Sequence, residues 1–158
     1  MSPNDHAKIS PSAIDGWIIC GMYPWVQGDD DPGPYAKWGT AAHWLSETAL
    51  TSEQDAADVA KTTATDPYGT EITTEMVDCS QAYIDYCRMK AKEFPKAEIG
   101  IEKRVSLEHW DLPEVYGTSD YIVDDAYNEL TVIDLKAGRG ISVPADSLQA
   151  RLYARERL

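Results

Sequence analysis

The chain has 158 residues, 43% of them hydrophobic, which suffices for one domain with a real core. Its formal charge is -13, from 14 basic and 27 acidic side chains, which excludes a protein that grips nucleic acid by bulk positive charge alone. The first twenty residues carry Asp5, His6, Lys8 and Asp15 and no long apolar run, no stretch can span a bilayer, and Cys20, Cys79 and Cys87 form neither a disulfide framework nor a zinc signature, so a cytoplasmic protein with reduced thiols is expected.

Ser10-Pro11-Ser12 reads as a helix start, with Ala13, Ile14, Trp17 and Ile18 at helical spacing and an end near Gly21. The Pro, Gly and Asp content of residues 23–35 predicts an exposed loop. A second helix is predicted over 36–50, burying Trp38, Ala41, Ala42, Leu45 and Ala49, and a short one over 52–61, broken by Asp66-Pro67-Tyr68-Gly69. Residues 71–93 read as a long helix in which Met76, Cys79, Tyr83, Ile84, Tyr86 and Cys87 recur at three and four. Beyond Phe94-Pro95 the period changes to two, predicting strands over 98–107, 115–124 and 130–136. Residues 148–158 return to helix behind Pro144, with a cap at Asp146 or Ser147. Helices, an antiparallel meander and a further helix make an α/β (α+β) fold. It is expected as a single domain over 1–158, with 1–97 mainly helical and 98–158 holding the sheet and last helix.

The chemistry concentrates where strands meet. A hairpin centred on Tyr127 sets Asp120 directly across from Asp134, with Asp134 and Lys136 on one face. Facing carbons roughly 4.5 to 5.5 Å apart would make the two acids repel. A divalent cation between them would relieve that repulsion, whereas acids on an open sheet face would simply be solvated. Lys136 reaches the same space and can polarise water or stabilise charge on a phosphorane. On the second helix His43 and Glu47 stand four apart on one face, as metal ligand and second carboxylate or as an exposed pair. Gln149 and Tyr153 are one turn apart on the last helix. From Lys136 onward five basic residues (Lys136, Arg139, Arg151, Arg155, Arg157) face two acids (Asp146, Glu156). An acidic body with a basic edge suits a metal nuclease, although acidity also keeps a protein in solution.

Gly39-Thr40-Ala41-Ala42-His43, Gly117-Thr118-Ser119-Asp120, Asp134-Leu135-Lys136 and Gln149-Ala150-Arg151-Leu152-Tyr153 follow one another in that order. Together they resemble the RecB-type branch of the PD-(D/E)XK nuclease superfamily, and residues 10–20 are similar to the start of a phage and prophage family in that branch. The resemblance implies a restriction-endonuclease-like core: a small mixed sheet with an antiparallel hairpin, flanked by helices, behind an N-terminal helical region. It also implies an Mg2+- or Mn2+-dependent deoxyribonuclease, a phage or prophage exonuclease of recombination or replication that acts on linear DNA ends in a bacterial cytoplasm.

By the same resemblance Asp120 and Asp134 bind the metal with help from His43 and the Leu135 carbonyl, and Glu47 and Glu102 can serve a second cation. Lys136 activates the attacking water. Gln149 and Tyr153 orient the site and touch DNA, with Arg139, Arg151 and Arg155 for phosphates. Some relatives carry an iron-sulfur cluster, but Cys20 alone matches its ligands, so no cluster is expected. Relatives continue past the Gln/Tyr helix, so a truncated or compact variant is expected. A homo-oligomer or a phage recombination partner fits this setting. The competing reading is a catalytically silent module of the same fold that binds DNA or a protein partner; a structural or assembly protein is a third.

Overall fold

In a computed structural model, the structure describes residues 7, 9–26, 33–108, 111–126, 129–138, 144 and 147–155. A 3-10 turn, Pro11–Ala13, leads into helices α1 (Ile14–Ile19), α2 (Tyr23–Val26), α3 (Pro34–Thr51), α4 (Ala56–Thr62) and α5 (Thr74–Glu93). Strands β1 (Glu98–Leu107), β2 (Leu112–Asp125) and β3 (Glu129–Ile133) follow, and then helix α6 (Leu148–Arg155). The fold is mixed α+β, with a three-stranded sheet in the order β1-β2-β3. The chain gathers into two compact units: one of Met1–Asp30, Lys103–Ser119 and Val143–Leu158, the other of Asp31–Glu102 and Asp120–Ser142.

The second unit is built on the pairing of α3 with α5. Helix α3 opens with Pro34 at its first turn, where a missing N–H is harmless. Thr73 caps α5, its Oγ1 accepting the Met76 N–H at 3.2 Å. Small residues line the α3 face: Gly39, Ala41, Ala42, Ser46 and Ala49 are all buried. Their size lets α5 come close enough that Ser80 donates to the Ala42 carbonyl at 3.3 Å, the same oxygen that takes Ser46 at 2.8 Å. Short α4 is tied to α5 through Gln81, whose Oε1 accepts the Ala56 N–H, and through Arg88, which pairs with Asp55 at 2.6 Å. Leu45, Val59, Ile84 and Cys87 from these helices share one core with Tyr121, Val123, Ile133 and Leu135 from the sheet region.

Strands β2 and β3 pair antiparallel with Tyr121 opposite Ile133, Val123 opposite Thr131 and Asp125 opposite Glu129. That is the register of a hairpin centred on Tyr127. The regular strand stops at Ile133, however, three residues before the predicted end. The reason is local: the Leu135 N–H bonds to the Asp120 carboxylate at 2.6 Å, so a side chain takes the place of a ladder carbonyl.

In the first unit Trp17 Nε1 donates to the Ser10 carbonyl at 2.9 Å, and Gly16 lies against the ring of Tyr23, where a Cβ would sit 2.4 Å from a ring carbon. Arg104 stacks over Tyr116, 4.0 Å from its centroid. Ser147 caps α6 by accepting the Ala150 N–H at 3.3 Å, which settles the predicted cap on Ser147; Asp146 lies outside the described residues.

Three expectations are corrected. The sheet is antiparallel rather than mixed, because consecutive strands joined by short turns can pair only that way; the one parallel element among the described residues is an isolated bridge from Ile9 to Val115. Residues 23–26, expected as loop, form a helical turn. Tyr86 is exposed, because the buried stripe of α5 runs Met76, Ser80, Tyr83, Ile84, Cys87, and Tyr86 falls about 100° round the helix from Cys87. Among the described residues no helix is long and apolar enough to cross a membrane.

Candidate metal centre

All of the acids in question, with His43 and Lys136, belong to the second unit. Helix α3 delivers His43 one turn beyond Gly39, where the lack of a side chain matters sterically, since a Cβ there would sit 3.2 Å from the Ala137 carbonyl oxygen. The segment that leaves β3 can therefore lie against α3, which sets Asp134-Leu135-Lys136 alongside the helix. Asp120 sits at the end of the β2–β3 pairing, its Oδ2 bonded to Leu135 N–H and 3.4 Å from His43 Nδ1. Strand β1 supplies Glu102, which has φ +48°. That left-handed conformation is costly for a residue with a side chain, and such strain persists where the surroundings hold it, often beside a functional site.

His43, Glu102 and Asp120 each offer a ligand atom, and the three atoms all lie within 4.8 Å of one another. One imidazole nitrogen and two carboxylate oxygens form a donor set suited to Mg2+, Mn2+ or a related divalent ion. The electrostatics fit the same occupant. Burial pushes the Glu102 carboxyl up to about 8, aided by the charges of Asp120, Glu47 and Asp134. Burial also raises Asp120, against the opposing pull of His43, the Leu135 N–H and Lys136. Two desolvated acids side by side are uncomfortable without a cation or a proton, and a divalent ion would relieve both.

Asp134 and Lys136 are arranged differently. Lys136 Nζ lies 2.7 Å from Asp134 Oδ2, and the lysine side chain is 41% exposed. Asp134 and Glu47 act on Glu102 through their charge but stand outside the trio, and Glu47 is exposed. The Leu135 group seen at work is its amide, which orients Asp120.

Gln149 and Tyr153 belong to the first unit, where Gln149 Nε2 lies 3.3 Å from the Tyr153 hydroxyl. Gly117 is there too, and a Cβ on it would meet Pro11 Cδ at 2.8 Å and the Tyr153 hydroxyl at 3.2 Å. Arg151 is exposed on α6; Arg139 and the side chain of Arg155 lie outside the described residues.

A family model described as "Protein of unknown function (DUF2800)" matches residues 6–158. The chain belongs to that family. No solved structure matches it.

Within this DUF2800 chain the trio differs in emphasis from the sequence expectation. Glu102, expected only as a candidate for a second cation, stands with His43 and Asp120, and Asp134 stands with Lys136. No local pattern announces Glu102, since strand periodicity assigns a face on the assumption of regular φ. Helical spacing marks Tyr83 simply as core. It is buried, yet its hydroxyl is close enough to feel the charges of Asp120 and Glu102. The combined arrangement can hold a divalent ion and, in the same unit, a lysine paired with a carboxylate.

Proposed function

We propose that this chain is a Mg2+- or Mn2+-dependent nuclease that hydrolyses DNA phosphodiester bonds, built on a RecB-type PD-(D/E)XK core. In this reading it is a phage or prophage exonuclease, working on linear DNA ends in the cytoplasm of a bacterial host. The observation that carries the reading is the convergence of His43, Glu102 and Asp120 within 4.8 Å, in the unit that also holds the Asp134–Lys136 pair. The order of the four short sequence motifs supports it independently.

A bound divalent ion would neutralise charge on the scissile phosphate and lower the pKa of a water. The chain's own residues do the rest. Asp120 is oriented by the Leu135 amide, which fixes the carboxylate before any cation arrives. Lys136, held by Asp134 2.7 Å away, orients the attacking water and stabilises the charge that develops on the phosphorus oxygens. Gln149, Tyr153, Arg151, Arg155 and Arg139 are proposed to engage the DNA strand.

The test is cleavage of end-labelled linear and closed circular DNA in Mg2+ or Mn2+. The wild-type chain should degrade linear DNA, while Asp120→Ala and Lys136→Ala should not. Failure of the wild type on every substrate in both metals would sink the enzyme reading. The charge of -13 favours one other reading, a silent module that binds a protein partner. A chain that cuts nothing and shows no saturable Mn2+ site dependent on Asp120 and Asp134 would point there.

A further inference from the structure

The core of the second unit holds a phenol, Tyr83, that the proposed chemistry leaves unused. Tyr83 on α5 is only 9% exposed, and its hydroxyl oxygen is inaccessible and makes no hydrogen bond of ordinary geometry among the described residues. The phenol points its proton at the Cys87 sulfur one turn along, but sulfur is a weak acceptor and leaves most of the phenol's donor strength unused. A buried hydroxyl without a partner is rare and calls for an explanation.

Its surroundings supply one. Tyr83 packs in the same core cluster as Leu135, Tyr121 and Ile101. Each of these is joined to the candidate centre: the Leu135 amide holds Asp120, Tyr121 follows Asp120, and Ile101 precedes Glu102. Both acids are near enough for their charges to act on the phenol, whose proton is held far above the usual range chiefly by burial. Carboxylates that bind metals are themselves held by an outer hydrogen bond. Asp120 has one, from Leu135. For Glu102 the acting influences are burial and the charges of Asp120, Glu47 and Asp134, with no hydrogen-bond donor among them. A weakly engaged donor thus lies within reach of the charge of an acceptor on which no hydrogen-bond donor acts.

We propose that the Tyr83 hydroxyl donates to the Glu102 carboxylate when a divalent cation occupies the His43–Glu102–Asp120 centre, which makes Tyr83 a positioning residue for that metal. The inference rests on reading the trio as a metal site. It also explains why α5 carries tyrosine rather than phenylalanine at a core position.

The experiment is calorimetric titration of Mn2+ into the wild-type chain and Tyr83→Phe, together with thermal unfolding of both without metal. Removal of an unsatisfied hydroxyl should leave the metal-free unfolding midpoint unchanged or raise it, while Mn2+ affinity falls roughly tenfold. Equal Mn2+ affinity in the two chains would overturn the proposal. So would a lower metal-free midpoint in Tyr83→Phe, because the hydroxyl would then support the fold and not the metal. A wild-type chain with no saturable Mn2+ binding would overturn the metal-site reading itself, and this inference with it, an outcome distinct from equal binding by both.

Discussion

The trio His43, Glu102 and Asp120 and the pair Asp134 and Lys136 come from the same unit, yet they solve opposite electrostatic problems. In the trio two acids share a desolvated space, and both carboxyls are pushed up. In the pair the acid meets its own cation at 2.7 Å, and the lysine reaches solvent. The first arrangement is short of positive charge and suits an incoming ion. The second carries its own balance and suits a role in handling water and phosphate. The proposed function uses both, and the difference between them can be broken experimentally.

The largest effect should come from Asp120→Asn. It removes the charge of the carboxylate held by Leu135 and His43, so on the proposed reading cleavage should fall on the order of a thousandfold or more, with loss of Mn2+ binding. Lys136→Met should lower cleavage on the order of a hundredfold while Mn2+ affinity stays within about threefold. If Lys136→Met abolished Mn2+ binding as well, the division between trio and pair would be wrong.

A smaller effect concerns the packing that brings the pair to the helix. Gly39→Val places a branched side chain where a Cβ alone would stand 3.2 Å from the Ala137 carbonyl. Overpacking of this kind should cost about 1–3 kcal/mol, measurable by urea unfolding. Gly117→Ala in the other unit would meet Pro11 Cδ at 2.8 Å, and the same measurement should show destabilisation there.

The smallest effect is a pH trend. Metal-free Glu102 keeps its proton up to about 8 in the folded chain, whereas the unfolded chain releases it near the ordinary glutamate value of 4.5. Between those limits the folded state binds more protons, so stability must fall as pH rises. The metal-free unfolding midpoint should therefore decline from about pH 5 to about pH 8. Glu102→Gln, which has no proton to lose, should flatten that decline. A slope identical in both chains would remove Glu102 as its source.

Much of this layout is legible in the sequence, for physical reasons. The three- and four-residue spacing of Leu45, Ala49, Met76, Tyr83 and Cys87 identifies α3 and α5, and the period-two pattern about Tyr127 predicts the hairpin register that is observed. Short-range patterns carry such information because they follow from backbone geometry. What lies hidden depends on exceptions to regular geometry. Glu102 joins the trio with φ +48°, which no pattern of residue types reveals. β3 ends early because a side chain, Asp120, captures an amide fifteen residues away. Ser80 is wholly buried although serine reads as a surface residue, and only the closeness of α3 to α5 gives its hydroxyl a partner.

The central claim, that His43, Glu102 and Asp120 together hold a divalent ion, is tested most directly by electron paramagnetic resonance of Mn2+ titrated into the wild-type chain, His43→Ala and Glu102→Gln. Saturable Mn2+ binding is expected for the wild type, sharply weakened in each variant. Absence of saturable binding in the wild type, or binding unchanged when either ligand is removed, would contradict it.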